Sequence, residues 1–236
     1  MPLQLATGAQ HLTKRDFAYR SLRDAIMRCD LGPGERLVID DLARRLNVSI
    51  IPVREAIQLL QSEGLVVNVP HAGATVAPVS RESIQDVFTV LEALEIAASR
   101  LVAERGDVDE LDALDALAKD MDRAVESKDY ARWATLNRRF HLAIGASPGL
   151  ELLREMTERV LARWDRVRHF FFRGVLVHRA EQAQREHRAI MSAMRSRDLG
   201  RLEQIVRQHN RRALESYMRY LDRSQEKVPE KRRRTT

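Results

Sequence analysis

The chain has 236 residues, which is enough for two domains of ordinary size. Hydrophobic residues make up 44% of it and aromatic residues only 5%, and the low Gly and Pro content predicts a mostly helical protein. No apolar run reaches the length of a membrane span, and the N-terminus lacks the pattern of a secretory signal. The single cysteine, Cys29, excludes an internal disulfide framework and favours a cytoplasmic protein.

The net charge of +6 says little about a partner, because most of it comes from the C-terminal tail. Residues 1–80 hold nine basic and eight acidic residues, whereas residues 223–236 hold six and two. The run Lys231–Arg234 predicts a solvated, flexible basic tail, with nonspecific DNA contact as the alternative. A basic total is compatible with nucleic acid binding but does not establish it.

The first part of the chain predicts a flexible arm and two helices. Residues 1–10 show no periodicity and form the arm. A first helix is predicted over Thr13–Cys29, with the cysteine on its apolar face, and the Leu31–Gly34 segment then breaks the chain. A second short helix, Asp41–Leu46, is favoured by acidic residues at its start and ends at Asn47, which tolerates left-handed dihedrals.

The third predicted helix begins at Ser49 or Ile51, ends at Gly64 and has two dissimilar faces. One is an apolar stripe at positions i, i+3, i+4 and i+7: Val53, Ala56, Ile57 and Leu60. The other face presents the polar side chains of Arg54, Gln58 and Gln61, and Ile50 and Ile51 come just before them. Arginine matches the acceptor pair of guanine, glutamine matches the edge of adenine, and an apolar side chain can meet a thymine methyl. An ordinary amphipathic surface helix is the alternative for this stretch alone.

A hairpin is predicted after these three helices, with strands Leu65–Val69 and Ala74–Ala77. This order predicts a winged helix-turn-helix domain over residues 11–79, with the third helix in the major groove of DNA and the wing beside the backbone or minor groove. The predicted DNA-binding residues lie on the second helix, the third helix and the wing: Arg44, Arg45, Ser49, Ile50, Ile51, Arg54, Gln58, His71 and Gly73.

Five short motifs in this domain carry a resemblance to a known family: PGERL (Pro33–Leu37), LARRLNVS (Leu42–Ser49), PVREA (Pro52–Ala56), EGLV (Glu63–Val66) and the wing Gly73–Val76. They are similar to the DNA-binding domain of the GntR family of bacterial transcriptional regulators. The resemblance implies that Arg54 contacts a base and that the partner is double-stranded operator DNA. Ile50 and Ile51 stand where many members have a basic or hydroxyl residue, and Ala72 where many have a basic one. The operator should therefore depend on Arg54 and on apolar contact at one position.

The second domain, residues 80–222, is predicted to be an all-helical bundle followed by the basic tail of residues 223–236. Breaks at Gly106–Asp107, Ser147–Gly149 and Asp198–Gly200 separate its helices. The predicted helices are Ser80–Glu104, Val108–Ser127, Asp129–Ala146, Leu150–Phe172, Arg179–Arg197 and Leu199–Asp222.

Three histidines lie on the apolar faces of three different helices: His141, His187 and His209. Asn137 lies one turn before His141 on the same face. Burying three imidazoles costs free energy unless each finds a partner, and one divalent cation would satisfy all three. Neutral imidazoles suit zinc, nickel or iron, with an oxygen donor completing the set. The alternative for each is a core histidine bonded to a backbone carbonyl.

The spacing Asn137-x-x-x-His141, the EHRAI run (Glu186–Ile190) and His209 resemble the FCD-type ligand-binding domain of the FadR-like GntR branch. The resemblance implies a helical bundle with a central cavity, a metal held by one Asp and three His, and a small carboxylate effector at or beside the metal. Asn137 stands where Asp is usual, which makes it a weak ligand or a neighbour of the ligands.

A second departure from the FCD pattern concerns the effector. Leu91 stands about where many members carry an effector-binding arginine. The absence of this arginine argues for a different acidic effector, for a different residue that contacts the effector, or for an effector that is not a carboxylate. Arg163 and Arg166, on another helix, are candidates to replace the missing arginine, with a surface location as the alternative for each.

Together these features predict a homodimeric, ligand-responsive DNA-binding regulator that is not an enzyme. An effector in the bundle would change the population of dimer geometries and release the operator, as in a repressor. One alternative is a metal-dependent enzyme using the three histidines, against which no acidic or nucleophilic partner is visible at a helpful spacing. The other is a DNA-binding protein without an effector, for which no ligand would stabilise the fold.

Overall fold

The structure, a computed structural model, describes residues 13–226, except for the side chains at 172, 173 and 224–226. The predicted arm at residues 1–10 and the basic run Lys231–Arg234 lie outside the described residues. The chain divides into two compact units between Pro78 and Val79, one residue from the predicted boundary. Helices account for most of the described chain, which confirms the predicted mostly helical class.

The first unit packs three helices and a two-stranded sheet around one apolar core. Its elements are α1 (Lys14–Met27), α2 (Ile39–Leu46), α3 (Ile50–Ser62), β1 (Val66–Val69) and β2 (Gly73–Val76). The strands are antiparallel, with Val66 opposite Val76. The peptide N–H of Leu37 donates to the carbonyl of Ala74 at 2.8 Å, so the PGERL segment pairs with β2, a contact that the sequence did not predict.

The predicted position of Cys29 on the apolar face of the first helix is wrong. The helix ends at Met27, where Asp30 N–H donates to the Ala25 carbonyl at 2.9 Å and Cys29 N–H donates to the Ile26 carbonyl at 3.1 Å. These bonds close the helix end while Cys29 takes a left-handed φ of +59°. The thiol is therefore half-buried beyond the helix.

The second helix begins two residues earlier than predicted, at Ile39. Neither acidic residue caps it: Val38 is the N-cap and makes no side-chain hydrogen bond, while Asp40 and Asp41 lie in the first turn, where the helix dipole favours negative charge. Asn47 ends the helix with φ of +52°, as its tolerance of left-handed dihedrals predicted.

The second unit is a helical bundle, and its six helices have nearly the predicted bounds: α4 (Arg81–Arg105), α5 (Val108–Glu126), α6 (Tyr130–Ala146), α7 (Glu151–Phe170), α8 (Val177–Arg195) and α9 (Leu199–Glu226). Helix α4 begins with a capping box, in which Ser80 and Ser83 each satisfy the other's backbone N–H. Helix α9 runs four residues past its predicted end at Asp222, into the predicted tail.

A π-helical turn, Phe172–Leu176, joins α7 to α8 in the stretch between the predicted helices Leu150–Phe172 and Arg179–Arg197. It brings Val175 into an apolar cluster with residues of α4, α7 and α9, and Leu176 into a second cluster built from α4, α5, α6, α8 and α9. Residues of both clusters line one cavity, which therefore lies where the two clusters meet.

Candidate functional site

Helix α3 buries its predicted apolar stripe and exposes its predicted polar face. Val53 and Leu60 are completely buried, while Arg54 and Gln58 are exposed. Among the described residues, the guanidinium of Arg54 forms no hydrogen bond or ion pair, not even with the adjacent Glu55. A charged planar donor held on a helix without a partner is available to a base edge or a phosphate.

The other predicted DNA-binding residues of the first unit are also accessible. Arg44 and Arg45 are exposed on α2 and lie 3.1 and 3.8 Å from the carboxylate of Asp41. His71 is exposed at the turn between the strands, with φ of +64°, and Gly73 opens β2 with φ of +78°. Ser49 is the exposed N-cap residue of α3. Arg44, Arg45, Ser49 and His71 are thus exposed, and Gly73 is half-buried.

The three predicted histidines converge in the bundle. One ring nitrogen of each of His141, His187 and His209 lies within 4.8 Å of the other two, and all three residues are buried. The ring centroid of His187 is 4.7 Å from that of His209 and 5.2 Å from that of His141. Helices α6, α8 and α9 each contribute one ring, so the cluster depends on tertiary packing.

Each imidazole has a side-chain acceptor beside its Nδ1. His141 Nδ1 is 2.5 Å from Glu95 Oε1, and His209 Nδ1 donates to Glu186 Oε2 at 2.8 Å. An ionised carboxylate can only accept, so it selects the tautomer that carries hydrogen on Nδ1 and leaves a lone pair on Nε2. This arrangement is typical of metal-ligating histidines, whose second nitrogen is oriented by an acceptor.

His187 is held in the same way by an amide. Its Nδ1 lies 3.3 Å from Gln184 Oε1, while Gln184 Nε2 donates to the Ala118 carbonyl at 2.9 Å and to Asp122 Oδ1 at 2.7 Å. Those two acceptors fix the orientation of the amide, so its oxygen faces the imidazole. The Nε2 atom of His187 is buried and accepts no hydrogen bond from the described residues, and the same holds for the Oδ1 atom of Asn137.

Burial keeps two of the rings neutral. It lowers the pKa of His187 well below the usual value, and the neighbouring His209 and His141 rings add to the effect. Burial also lowers the pKa of His209, although the hydrogen bond to Glu186 opposes this. A neutral imidazole is the form that binds a metal ion.

The carboxylates beside the rings stay ionised. Burial would raise the pKa of Glu95, but the contacts with His141, His209 and Asn210 together outweigh it and hold the pKa below its usual value. Burial likewise opposes ionisation of Glu186, yet the contacts with His209 and Arg179 lower its pKa to about 2. The buried cluster therefore combines the neutral rings of His187 and His209 with two negative charges beside it.

A cavity lies beside the cluster and includes about 440 Å³ of space outside protein atoms, part of it open to solvent. His141, His209 and Asn137 line one part of it, and the rest is mostly apolar and aromatic: Phe88, Leu91, Trp133, Trp164, Val175, Leu176, Ala183, Ala213 and Tyr217. A small-molecule site commonly has this character, with apolar walls and few polar groups. Leu91, the departure from the family pattern, is therefore part of the wall.

Neither arginine predicted for the effector lines the cavity, and Arg179 lines it instead. Arg163 is exposed on α7, whereas Arg166 is buried outside the lining. Arg179 Nη2 donates to Glu186 Oε2 at 2.9 Å and to the His209 carbonyl at 2.8 Å. Its Nη1 atom is buried and has no acceptor among the described residues. Arg179 was not among the residues predicted from the sequence.

Glu95, Glu186 and Arg179 could have been found from the sequence as charges on apolar faces. Glu95 follows Leu91 by four residues and precedes Val102 by seven, which places it on the buried stripe of α4. Arg179 and Glu186 are seven residues apart on the buried face of α8. A charged residue on a buried helix face needs a partner. This pattern was the signal in the sequence by which the three residues could have been identified.

Comparison with known families supports both halves of this description. The bacterial regulatory proteins of the gntR family match residues 14–76, and the FCD domain matches residues 86–212, which is more than half of the chain. The chain belongs to the GntR family. Its first unit is the DNA-binding domain of the family and its second is the FCD domain, so the protein is a DNA-binding transcriptional regulator rather than an enzyme.

Individual relatives agree with this assignment. The HTH-type transcriptional repressor GlaR of Escherichia coli K12 is 30% identical over 197 residues, which cover 81% of this chain and 90% of GlaR. The repressor RspR of the same strain is 30% identical over 198 residues, covering 84% of this chain and 86% of RspR.

Solved structures share the fold at lower identity. Escherichia coli McbR/YncC superposes with a TM-score of 0.69 at 23% identity, over 89% of this chain and all of the other. A GntR regulator from Rhodococcus sp. RHA1 also reaches 0.69, at 21% identity, over 87% of this chain and 97% of the other. Among the described residues, no helix combines the length and the apolar character needed to span a bilayer.

Proposed function

We propose that this regulator is a homodimeric repressor that leaves its operator when a small carboxylate binds in the FCD cavity beside a divalent metal. The observation that carries the proposal is the cavity beside the histidine cluster. Asn137 and Arg179 line it and His187 belongs to the cluster, and each has a buried polar atom without a hydrogen-bond partner among the described residues: Asn137 Oδ1, Arg179 Nη1 and His187 Nε2. Buried polar atoms are costly unless paired, so a bound ligand accounts for all three. The repressors GlaR and RspR support the direction of regulation.

The donor set suits a divalent ion of the zinc or nickel class. His141, His187 and His209 would supply nitrogen ligands, and Asn137 Oδ1 is an oxygen donor beside them. The acceptors at the three Nδ1 atoms leave the Nε2 lone pairs available. When bound, the ion would supply positive charge for an anionic effector group. A neutral amide is a weaker ligand than a carboxylate, so the histidines carry most of the affinity.

Arg179 is the candidate anchor for the effector. A carboxylate group accepts two parallel hydrogen bonds from a guanidinium, and the unpartnered Nη1 of Arg179 is one such donor at the cavity wall. Its Nη2 is held by Glu186 and the His209 carbonyl, which fixes the guanidinium in place. The aromatic and aliphatic walls favour a small acid with an apolar body over a polyhydroxylated one.

We propose a homodimer because an operator with two symmetric half-sites is matched by a protein with two-fold symmetry. Winged-helix regulators commonly bind two half-sites, and a dimer places two copies of α3 in successive major grooves. An effector that binds one dimer geometry better than another shifts the population between them and thereby changes operator affinity. Such a protein would act in the bacterial cytoplasm, where the chromosome lies.

The test is a thermal-shift screen of small carboxylates with and without added zinc or nickel, followed by operator binding with any acid that stabilises the protein. The operator is first selected from random DNA duplexes. We expect the stabilising acid to release the duplex, and Arg179→Gln to need at least tenfold more acid for release. Arg163→Gln is the matched control because this exposed arginine does not line the cavity, and it should respond like the unmodified protein.

Two outcomes would overturn the proposal. One is that no acid stabilises the protein or affects DNA binding in the presence of either metal. The other is that Arg163→Gln loses the response while Arg179→Gln keeps it. Circular dichroism and metal content of Arg179→Gln separate a lost anchor from a lost fold, because Arg179 also pairs with Glu186.

A further inference from the structure

The recognition helix α3 begins with two isoleucines that contribute little to the core. Ile51 is 68% exposed and Ile50 38% exposed, whereas Val53, two residues later, is completely buried. β-branched residues are no better than average at stabilising a helix, and exposed apolar surface gives no hydrophobic gain in the free protein. The fold therefore does not explain an isoleucine at position 51.

Ile51 lies on the same stripe as the two polar residues expected to contact bases. Ile51, Arg54 and Gln58 are at positions i, i+3 and i+7 of one helix, and all three are exposed. Three residues advance an α-helix by about 4.5 Å, and successive base pairs are about 3.4 Å apart. A side chain at position 51 and one at position 54 can therefore meet the same or neighbouring base pairs in a major groove.

We propose that Ile51 reads the 5-methyl group of a thymine in each operator half-site, within one or two base pairs of the guanine contacted by Arg54. An isoleucine side chain has no donor or acceptor, so it cannot bind a phosphate or the polar edge of a base. The thymine methyl is the one apolar group that the major groove presents. Ile50 precedes Ile51 on the helix, is 38% exposed, and would lie at the edge of the same thymine methyl contact. This inference rests on the operator-binding function of α3 and adds the base that its apolar residue selects.

The experiment removes only the methyl group. Duplexes selected by the unmodified protein are remade with each thymine replaced in turn by uracil, and Kd is measured by fluorescence anisotropy at one salt concentration. We expect one thymine per half-site at which uracil weakens binding about fourfold, the effect of burying one methyl group. Other uracil substitutions should change Kd less than twofold. With Ile51→Ala, thymine and uracil at that position should bind equally.

Leu59→Ala is the matched control variant. Leu59 is another exposed aliphatic residue of α3, 40% exposed and two turns further along the helix, and this variant should keep the difference between thymine and uracil. The inference is overturned if no uracil substitution weakens binding more than twofold, or if Ile51→Ala shows the same difference as the unmodified protein. A protein that selects an operator but fails this test remains a regulator, whereas one that selects no sequence overturns both assignments.

Discussion

Glu95 is a buried carboxylate whose two oxygens hold two different helices. Oε1 lies 2.5 Å from His141 Nδ1 on α6, and Oε2 accepts from Asn210 Nδ2 on α9 at 2.6 Å. A buried charge costs more free energy than an apolar residue of similar size. Glu95 therefore contributes by orienting the His141 ring, and its contact with Nδ1 leaves the lone pair of Nε2 available.

Glu95→Gln keeps the size of this side chain and removes its charge. We expect the affinity for zinc or nickel to fall by about 10-fold to 100-fold, the usual effect of replacing the acceptor behind a ligating histidine. Isothermal titration calorimetry of the metal-free protein measures it. The matched control is Glu92→Gln on the same helix, since Glu92 pairs with Arg207 and Arg211 rather than with a histidine. Equal affinity of the two variants would contradict the assigned role.

Tyr217 gives a second prediction at the scale of one residue, which concerns pH. Burial raises the pKa of Tyr217 to about 12, from an ordinary value of 10.0. Because the folded pKa lies above the unfolded one, the full stability is present below pH 10 and is lost between pH 10 and about 12. The free energy of unfolding should therefore fall by about 1 kcal/mol more in the unmodified protein than in Tyr217→Phe between pH 9 and pH 11.

Urea denaturation at the two pH values measures this difference. Tyr220→Phe is the control, because Tyr220 is 38% exposed on the same helix whereas Tyr217 is 2% exposed. An identical pH dependence of Tyr217→Phe and the unmodified protein would show that burial does not hold the phenol neutral.

At the scale of elements, helices α6 and α7 approach closely at a glycine. A Cβ atom on Gly145 would lie 2.6 Å from Thr157 Cγ2 and 2.9 Å from Thr157 Cβ. Thr157 is 1% exposed and its hydroxyl donates to the Leu153 carbonyl at 2.8 Å, so this side chain cannot easily move. The absence of a side chain at position 145 is what lets the two helices pack, and α6 carries Asn137 and His141 into the cavity.

Gly145→Ala should destabilise the second unit. Overpacking typically costs about 1 to 3 kcal/mol, and the better helix propensity of alanine offsets about 1 kcal/mol of that. We expect a net loss of up to about 2 kcal/mol in chemical denaturation. Gly200→Ala, in the first turn of α9, is the control. A Cβ atom at position 200 would lie 3.9 Å from Asp198 Oδ1, an ordinary contact, so this variant should be neutral or slightly stabilising. A Gly145→Ala protein as stable as the original would show that α6 and α7 can separate without cost.

At the scale of the whole molecule, the chain consists of two units with separate apolar cores. The histidine cluster and the cavity belong to the second unit, whereas the exposed arginines of α2 and α3 belong to the first. A ligand that binds only a native unit stabilises that unit by mass action, by about 2.7 kcal/mol at 100 times its Kd.

Chelation of bound metal should therefore lower the melting temperature of the second unit and leave that of the first unchanged. Differential scanning calorimetry with and without a chelator, followed by addition of zinc or nickel, measures the shift. Replacement of His187 by alanine should remove the dependence on metal, while replacement of the exposed His178 should not. A calorimetric trace that is insensitive to chelation, with no metal found by elemental analysis, would contradict the metal assignment.

The sequence by itself determined the elements and the faces they bury. Periodicity predicted the apolar stripe of α3, the exposure of Arg54 and the three inward histidines, because helix geometry relates spacing to direction without reference to the rest of the chain. Local chemistry also predicted Asn47 as the end of α2. It failed at Cys29, where hydrogen bonds that close the helix end outweighed an apolar pattern that continued beyond it.

Only the tertiary structure decided which side chains share one site. Glu95, Arg179, Gln184 and Glu186 reach the histidines from α4 and α8, and their distances depend on how whole helices pack. The same packing put Arg179, rather than Arg163 or Arg166, at the cavity wall. Helical period gives the direction of a side chain but not its distance from another helix, and a polar residue finds its partner only when the surrounding core brings the two together.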